Sequence, residues 1–324
     1  MSDAIGAVPP PPGVIPNFRN PKDVCWTINI VSQAIAMSSI TFFFLIRITA
    51  KAFVAPPFDR EDCMCVVAWV FYMAYSATGV LLSCTGGGYH AWEITRKEMK
   101  EHLKIVYGGS MVYGLNAYFV KVTLLLIFIR VFRPFKKSVL IAWGLIGLMG
   151  AYYIPMFFFK MQVCRPIRGF WDRNFKADCL HQDTMLAADT VISTLTDTAI
   201  LVLPIPASMQ LQISWRERVK IIAYLGTGGT AALAAAVRMV LILRMQNSTD
   251  FTVDNIRFNL FGTFEGYIGL LCTCIPSINL LINKARESSR RKAYTTRGLP
   301  PSLSPMRQGT DLSESSQARL YSGV

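Results

Sequence analysis

Five ionisable residues lie inside long apolar windows of the chain: Lys121, Asp189, Asp197, Arg238 and Glu265. A charge carried into a bilayer is costly and marks a site by default. At about 1.5 Å of rise per residue, Lys121 is expected about 24 Å and Asp197 about 20 Å below the outer boundary. Arg238 and Glu265 fall about 10 Å below it, and Asp189 about 8 Å. The five therefore sort into an inner level with one cation and one acid, and an outer level with one cation and two acids. They read either as ion pairs that fix helix register or as a polar cavity for a ligand, an ion or a proton. A guanidinium can bridge two carboxylates, so Arg238 is expected to pair with Glu265 and also with Asp189, leaving an excess of negative charge.

Catalytic chemistry has little to stand on. The three histidines, His90, His102 and His181, fall in connections between windows. No His-Glu-x-x-His, Gly-x-Ser-x-Gly or phosphate-loop pattern occurs, so neither an enzyme nor a cofactor is expected. Cys63-Met64-Cys65 and Cys272-Thr273-Cys274 have the look of metal pairs, but with no histidine nearby they read as soft core residues. Gly226-Thr227-Gly228-Gly229 reads as close helix contact rather than a phosphate cradle.

Seven apolar windows carry these residues: Cys25–Ile46, Cys63–Tyr89, Ile105–Ile129, Ser138–Phe159, Thr184–Ile205, Ile221–Met245 and Phe258–Ile282. A hydrocarbon core of about 30 Å takes about 20 apolar residues of helix. Backbone groups in lipid must be satisfied internally, so each window is expected to be a helix. Of all residues 52% are hydrophobic and only 16% charged, against about 25% in soluble domains. That excludes a disordered or fibrous chain and disfavours a soluble enzyme. The net charge of +13 does not imply nucleic acid, because the cations sit between apolar runs and in the tail rather than on one soluble face. Pro204 and Pro206 are expected to stop or kink the fifth helix.

Orientation follows from the cations. With the N-terminus outside, the inner connections Arg47–Glu61, Arg130–Lys137 and Ser208–Lys220 hold ten Lys/Arg and the outer ones eleven, which decides nothing. The tails decide: two cations precede the first window and eight follow the last. The expected fold is thus an all-α membrane bundle of seven transmembrane helices, N-terminus outside and C-terminus cytoplasmic. It divides into a short Pro-rich tail (1–24), the membrane domain (25–283) and a basic, disordered cytoplasmic tail (284–324). Residues 1–22 lack the basic start and apolar centre of a cleavable signal, so the first window is expected to target the chain. The basic stretch with Arg286, Arg290, Arg291 and Lys292 reads as a plain positive-inside anchor, with contact to anionic lipid of the inner leaflet as the alternative.

Cys164 and Cys179 share one outer connection, with fourteen residues between them. An oxidising exterior permits a disulfide there, closing a loop that contains Phe170-Trp171; two unrelated thiols are the alternative. Asn247-Ser248-Thr249 is a glycosylation pattern on the same side, making Asn247 a candidate acceptor.

The ordered motifs between about Trp26 and Ile282 resemble the fungal rhodopsin-domain family of integral membrane proteins. The pieces are Glu61-Asp62; Gly88-Tyr89-His90 with Trp92; Lys121-Val122-Thr123-Leu124-Leu125-Leu126 with Arg130-Val131-Phe132; Cys164-Arg165-Pro166 with Phe170-Trp171-Asp172 and Cys179; Thr196-Asp197 leading to Leu203-Pro204-Ile205-Pro206; Arg238; Glu265; and Cys272-x-Cys274-x-Pro276. The chain departs from the usual pattern with Glu61 in place of an aspartate and Phe261 in place of a tryptophan. The resemblance implies a seven-span protein, receptor-like or encoded in a toxin-biosynthesis cluster.

The family label does not imply retinal. A Schiff base needs a lysine inside the bundle, usually on the last span, and Phe258–Asn283 contains none. The third span ends in Arg130 without the preceding acid of rhodopsin-like receptors, so Arg130 reads as an interface cation. The expected function is a receptor-like sensor in the plasma membrane. It would bind an unknown small molecule in the outer half of the bundle and engage a cytoplasmic signalling partner through its loops and tail. The other reading is a carrier or accessory membrane protein of a secondary-metabolite pathway, although no paired halves or broken-helix repeats favour a carrier.

Overall fold

A computed structural model describes residues 6–53, 58–172, 177–180, 182–209, 229–230, 233–242 and 250–296. Asn247, Arg244, His181, most of the Ser208–Lys220 connection and the tail beyond Thr296 lie outside the described residues. The chain divides into two compact units, Met1–Ile278 and Asn279–Val324.

The described elements are helical apart from one two-stranded ribbon. They are α1 (Trp26–Phe53), α2 (Arg60–Cys84), α3 (Arg96–Val131), α4 (Lys136–Met161), β1 (Cys164–Arg165), a 3-10 turn (Ile167–Phe170), β2 (Asp178–Cys179), α5 (Gln182–Val202), α6 (Pro204–Met209), α7 (Leu233–Ile242) and α8 (Phe251–Thr296). Among the described residues six helices are long and apolar enough to cross a membrane, and the short α7 is the described part of the sixth window. The outer faces fit a lipid surround: Ile28 on α1 is 62% exposed and Leu140 on α4 is 73% exposed. A row of such side chains is costly in water and satisfied among acyl chains.

Local signals start and stop the helices. Thr95 caps α3: its Oγ1 accepts from Glu98 N at 3.3 Å while its own N–H donates to Glu98 Oε2 at 2.8 Å. This cap sets α3 off nine residues before the expected window, at Arg96. His102 is consequently a buried helix residue and not a connection residue, near Thr85 Oγ1 (3.3 Å) and Asn255 Nδ2 (3.2 Å). Pro204 opens α6 directly after α5 ends, where its missing N–H does no harm. At the other boundary α1 runs past Ile46 to Phe53, so Arg47 is a helix residue, 1% exposed, and not a loop cation. The last helix continues through Thr296, so the start of the segment expected to be disordered is helical; Lys284, Ala285, Arg286 and Glu287 are good helix formers.

α3 packs along α2, α4 and α5, and α1 against α2. α8 approaches closely through glycines. A Cβ on Gly262 would stand 2.5 Å from Tyr75 Oη, one on Gly266 2.8 Å from Asn116 Nδ2, and one on Gly269 2.5 Å from a Val120 methyl. Small residues spaced along one face let helix backbones approach in this way.

One end of the bundle is roofed. Gly88, at φ +95°, turns its carbonyl to accept from Val24 N (3.1 Å) and Cys25 N (3.0 Å). Lys22 N donates to Glu93 Oε2 at 2.8 Å, and His90 Nδ1 lies 2.5 Å from Asp250 Oδ2. These bonds tie the N-terminal segment and the 85–95 turn to the start of α8. The Cys164–Cys179 disulfide is formed at the same end, where β1 and β2 pair in antiparallel register.

Candidate functional site

The bundle interior holds one continuous polar network. Lys121 on α3 sits 3.1 Å from Asp197 Oδ1 on α5, and its Nζ donates to Ser193 O, Ser193 Oγ and Thr196 Oγ1, each at 2.9 Å. Ser193 Oγ in turn donates to Glu265 Oε1 on α8 at 3.0 Å. Arg238 Nη1 on α7 lies 2.7 Å from Glu265 Oε2 and also bonds the Tyr113 hydroxyl. That hydroxyl reaches both Glu265 oxygens at 3.2 Å. The guanidinium stacks 4.2 Å from the ring centres of Tyr113 and Phe258.

The structure brings Arg238 to Glu265, and Lys121 to Asp197. It separates Asp189 from Arg238. Asp189 pairs instead with Lys160 near the end of α4, whose Nζ also donates to Ser110 O at 3.2 Å. By sequence Lys160 follows the fourth window as an outer-connection cation; α4 extends to Met161, and the Lys160 amine turns into the bundle. With Lys160 included, three cations face three acids, so the expected excess of negative charge is absent. The two levels are also joined, because Ser193 bridges Lys121 to Glu265. Serine has no signal in a charge-based reading, and its helical position facing α3 could not be fixed from depth alone.

Above Tyr113 and Phe258, toward the roofed end, lies a cavity of about 190 Å³ lined by α2, α3, α5, α7 and α8 and by Lys160 of α4. Its wall is mainly apolar, with Asn255, Asn259, Ser110 and the Lys160–Asp189 pair as polar points. Such an apolar pocket with a few convergent polar groups is the usual form of a small-molecule site. Phe170, inside the disulfide loop, lines it and packs on Tyr107 with ring centres 5.3 Å apart. Lys100 Nζ holds the same loop through Asp172 Oδ2 at 2.6 Å.

A second ionic cluster closes the other end. Arg47 Nη2 is 2.6 Å from Asp62 Oδ1, and its other amino group bonds the Thr273 carbonyl on α8. Lys51 reaches Asp62 at 2.9 Å and Asp59 at 3.2 Å. Arg130 Nη1 reaches Glu61 at 2.5 Å and Asp59 at 2.7 Å. Arg130 is thus clamped between carboxylates, although 51% of its side chain is exposed. Asp59, Glu61 and Asp62 offer oxygens within 4.8 Å of one another, as metal ligands do, but three cations already balance them. The hydrogen bond from Lys51, with the charges of Arg130 and Lys51, holds the Asp59 carboxyl below its ordinary range. The sequence reading missed Arg47 and Lys51; the signal was the Glu61-Asp62 pair, two carboxylates opening a span with no cation assigned to them. Cys65 of α2 lies 3.5 Å from Thr273 Oγ1, so Cys65, Cys272 and Cys274 are buried packing residues of facing helices, whereas Cys63 is exposed and is not a core residue.

A mostly helical membrane domain with a paired polar interior and a disulfide-tied loop at one end defines the class. The family model described as the fungal rhodopsin domain matches residues 46–284, and the chain belongs to that family. It is 23% identical over 290 residues to "Fugralins biosynthesis cluster protein 2" of Gibberella zeae, covering 86% of this chain and 71% of that protein. It is 25% identical over 195 residues to a "SAT4 family membrane protein" of Emericella nidulans, covering 60% of this chain and 49% of that protein. It is 24% identical over 273 residues to "Receptor GIN3" of Arthrobotrys oligospora, covering 83% of this chain and 65% of that protein. The chain thus spans about half to seven-tenths of these relatives' own lengths.

Proposed function

We propose that the protein is a seven-span, receptor-like sensor of a small molecule bound in the cavity at the roofed end. The observation that carries this reading is the floor of the cavity. Tyr113 lines it and also bonds Arg238 and Glu265, which continue through Ser193 to Lys121 and Asp197. A ligand pressing on Tyr113 and Phe258 acts on charges held by four helices at once, α3, α5, α7 and α8. Differential contact with two arrangements of such a network is what moves an equilibrium.

The disulfide supports an outer, oxidising location for the roofed end, where α1 and α8 both begin. The N-terminus is then outside and the C-terminus cytoplasmic, in agreement with the basic tail. The Arg130 clamp with Asp59 and Glu61 lies at the inner end in this topology, and the connections there are the expected contact of a signalling partner. The proposed ligand is not retinal: both lysines inside the bundle have engaged amines, Lys121 with Ser193, Thr196 and Asp197 and Lys160 with Asp189 and the Ser110 carbonyl. The site is a binding site and not a catalytic one. The plasma membrane is the expected location.

The test is a thermal-shift screen of apolar small molecules on the protein in nanodiscs, with spin labels at the inner ends of α2 and α3. Compounds that stabilise the wild type, fail on Asn259→Leu and change the inner distance support the sensor. Binding without inner movement favours an accessory role in metabolite synthesis, the reading supported by the cluster name of the Gibberella zeae relative. Binding that survives in every cavity variant sinks both.

A further inference from the structure

A second cavity, of about 300 Å³, lies between α3 and α4. Met111, Leu115 and Phe119 form one wall, and Ile154 and Phe157 the other. Among the described lining residues its polar groups, apart from two tyrosine hydroxyls, are Lys160 and Asp189. The same two residues line the internal cavity. A groove on the membrane-facing side of the bundle and the pocket inside it therefore share this ion pair as a common wall. Gly114 opens the α3 wall at this point: a Cβ there would meet only Lys160 Nζ, at 3.8 Å.

We propose that this groove is a lateral portal by which an apolar molecule dissolved in the bilayer enters the internal cavity, with Lys160–Asp189 as its gate. The proposal rests on the sensor reading of that cavity. The occupant is apolar because the groove offers it hydrocarbon, aromatic rings and one neutralised ion pair. It comes from the bilayer because the groove lies along helices whose outer faces are apolar, Ile154 being 56% exposed. The roof of the N-terminal segment, the 85–95 turn and the disulfide loop narrows the route from water. The gate can move. Lys160 is one residue from the end of α4, and its flexible four-carbon stem can swing the ammonium to the interface, as lysines near helix ends do. Asp189 keeps its contact with the Tyr152 hydroxyl, 3.4 Å away.

The test uses the full chain in nanodiscs, with Ser110→Cys as a reporter in the internal cavity and Cys63→Ser and Cys84→Ser to remove the exposed thiols. Two probes are compared: N-phenylmaleimide, which partitions into the bilayer, and a charged trimethylammonium methanethiosulfonate, which stays in water. The expected result is rapid labelling by the maleimide, slowed about tenfold by Gly114→Leu, as a barrier raised by one steric contact would do. Gly114→Ala leaves the rate unchanged, and the charged probe is indifferent to all of these changes. Ile154→Trp plugs the opposite wall from a lipid-facing position and repeats the test if Gly114→Leu does not fold. Maleimide labelling that ignores both plugs overturns the portal and leaves the cavity reading intact. A reporter thiol that reacts with neither probe overturns both.

Discussion

Arg238 Nη1 lies 2.7 Å from Glu265 Oε2, and the same carboxylate accepts from Ser193 and Tyr113. A buried guanidinium and a buried carboxylate are each costly in low dielectric, so each depends on the other. Removing one partner strands the other.

Arg238→Leu is therefore expected to cost about 3–5 kcal/mol and to abolish surface expression. Glu265→Arg alone does the same. The double change Arg238→Glu with Glu265→Arg restores part of the expression, measured by surface labelling and melting temperature in detergent. Normal expression of Arg238→Leu would show the pair to be dispensable.

Ser193→Ala removes the bridge between Lys121 and Glu265 but leaves both charges paired. The expected loss is smaller, about 1–3 kcal/mol, with folding retained. It should also weaken the double-mutant coupling between Asp197 and Arg238 substitutions. Coupling unchanged by Ser193→Ala would mean that the two pairs act independently.

The Cys164–Cys179 bridge closes a loop with a sequence separation of 15. In the chain-entropy model Cys164→Ser costs about 3 kcal/mol. Because Phe170 lies in that loop and lines the cavity, ligand binding is expected to weaken with it. Mass spectrometry after maleimide treatment of unreduced, denatured protein should find both residues unmodified; two labelled thiols would refute the bridge.

Asp59 supplies a pH dependence with a definite sign. Its carboxyl is held below the ordinary value of 3.8, chiefly by the Lys51 hydrogen bond. A depressed carboxylate stabilises the folded state fully above its unfolded value and loses that contribution as pH falls through the folded one. The contacts of Asp59 to Lys51 and Arg130 are thus intact at neutral pH and down to about pH 5, and are lost only in stronger acid. Asp59→Asn should remove the low-pH part of the melting curve's slope. A midpoint between pH 5 and 7 that disappears in Asp59→Asn would contradict the assignment.

Composition and window length alone determined that the chain is a helical membrane protein, because about 20 apolar residues without backbone partners have no other stable form in lipid. The order of motifs identified the family. Depth along each helix, counted at a fixed rise, put Arg238 level with Glu265 and Lys121 level with Asp197, and both pairs are in contact. Depth says nothing of rotation about the helix axis or of which helices stand side by side. Asp189 had a partner at the right depth in Arg238, yet α4 brings Lys160 to it. Arg47 stood at the rim of a window and is buried against Asp62 because α1 runs on to Phe53. Ser193 carries no charge, and only the packing of α5 against α3 and α8 puts its hydroxyl between Lys121 and Glu265. The pairing of charges is a short-range matter of lateral helix order and azimuth, and those are decided by packing, which the one-dimensional pattern does not contain.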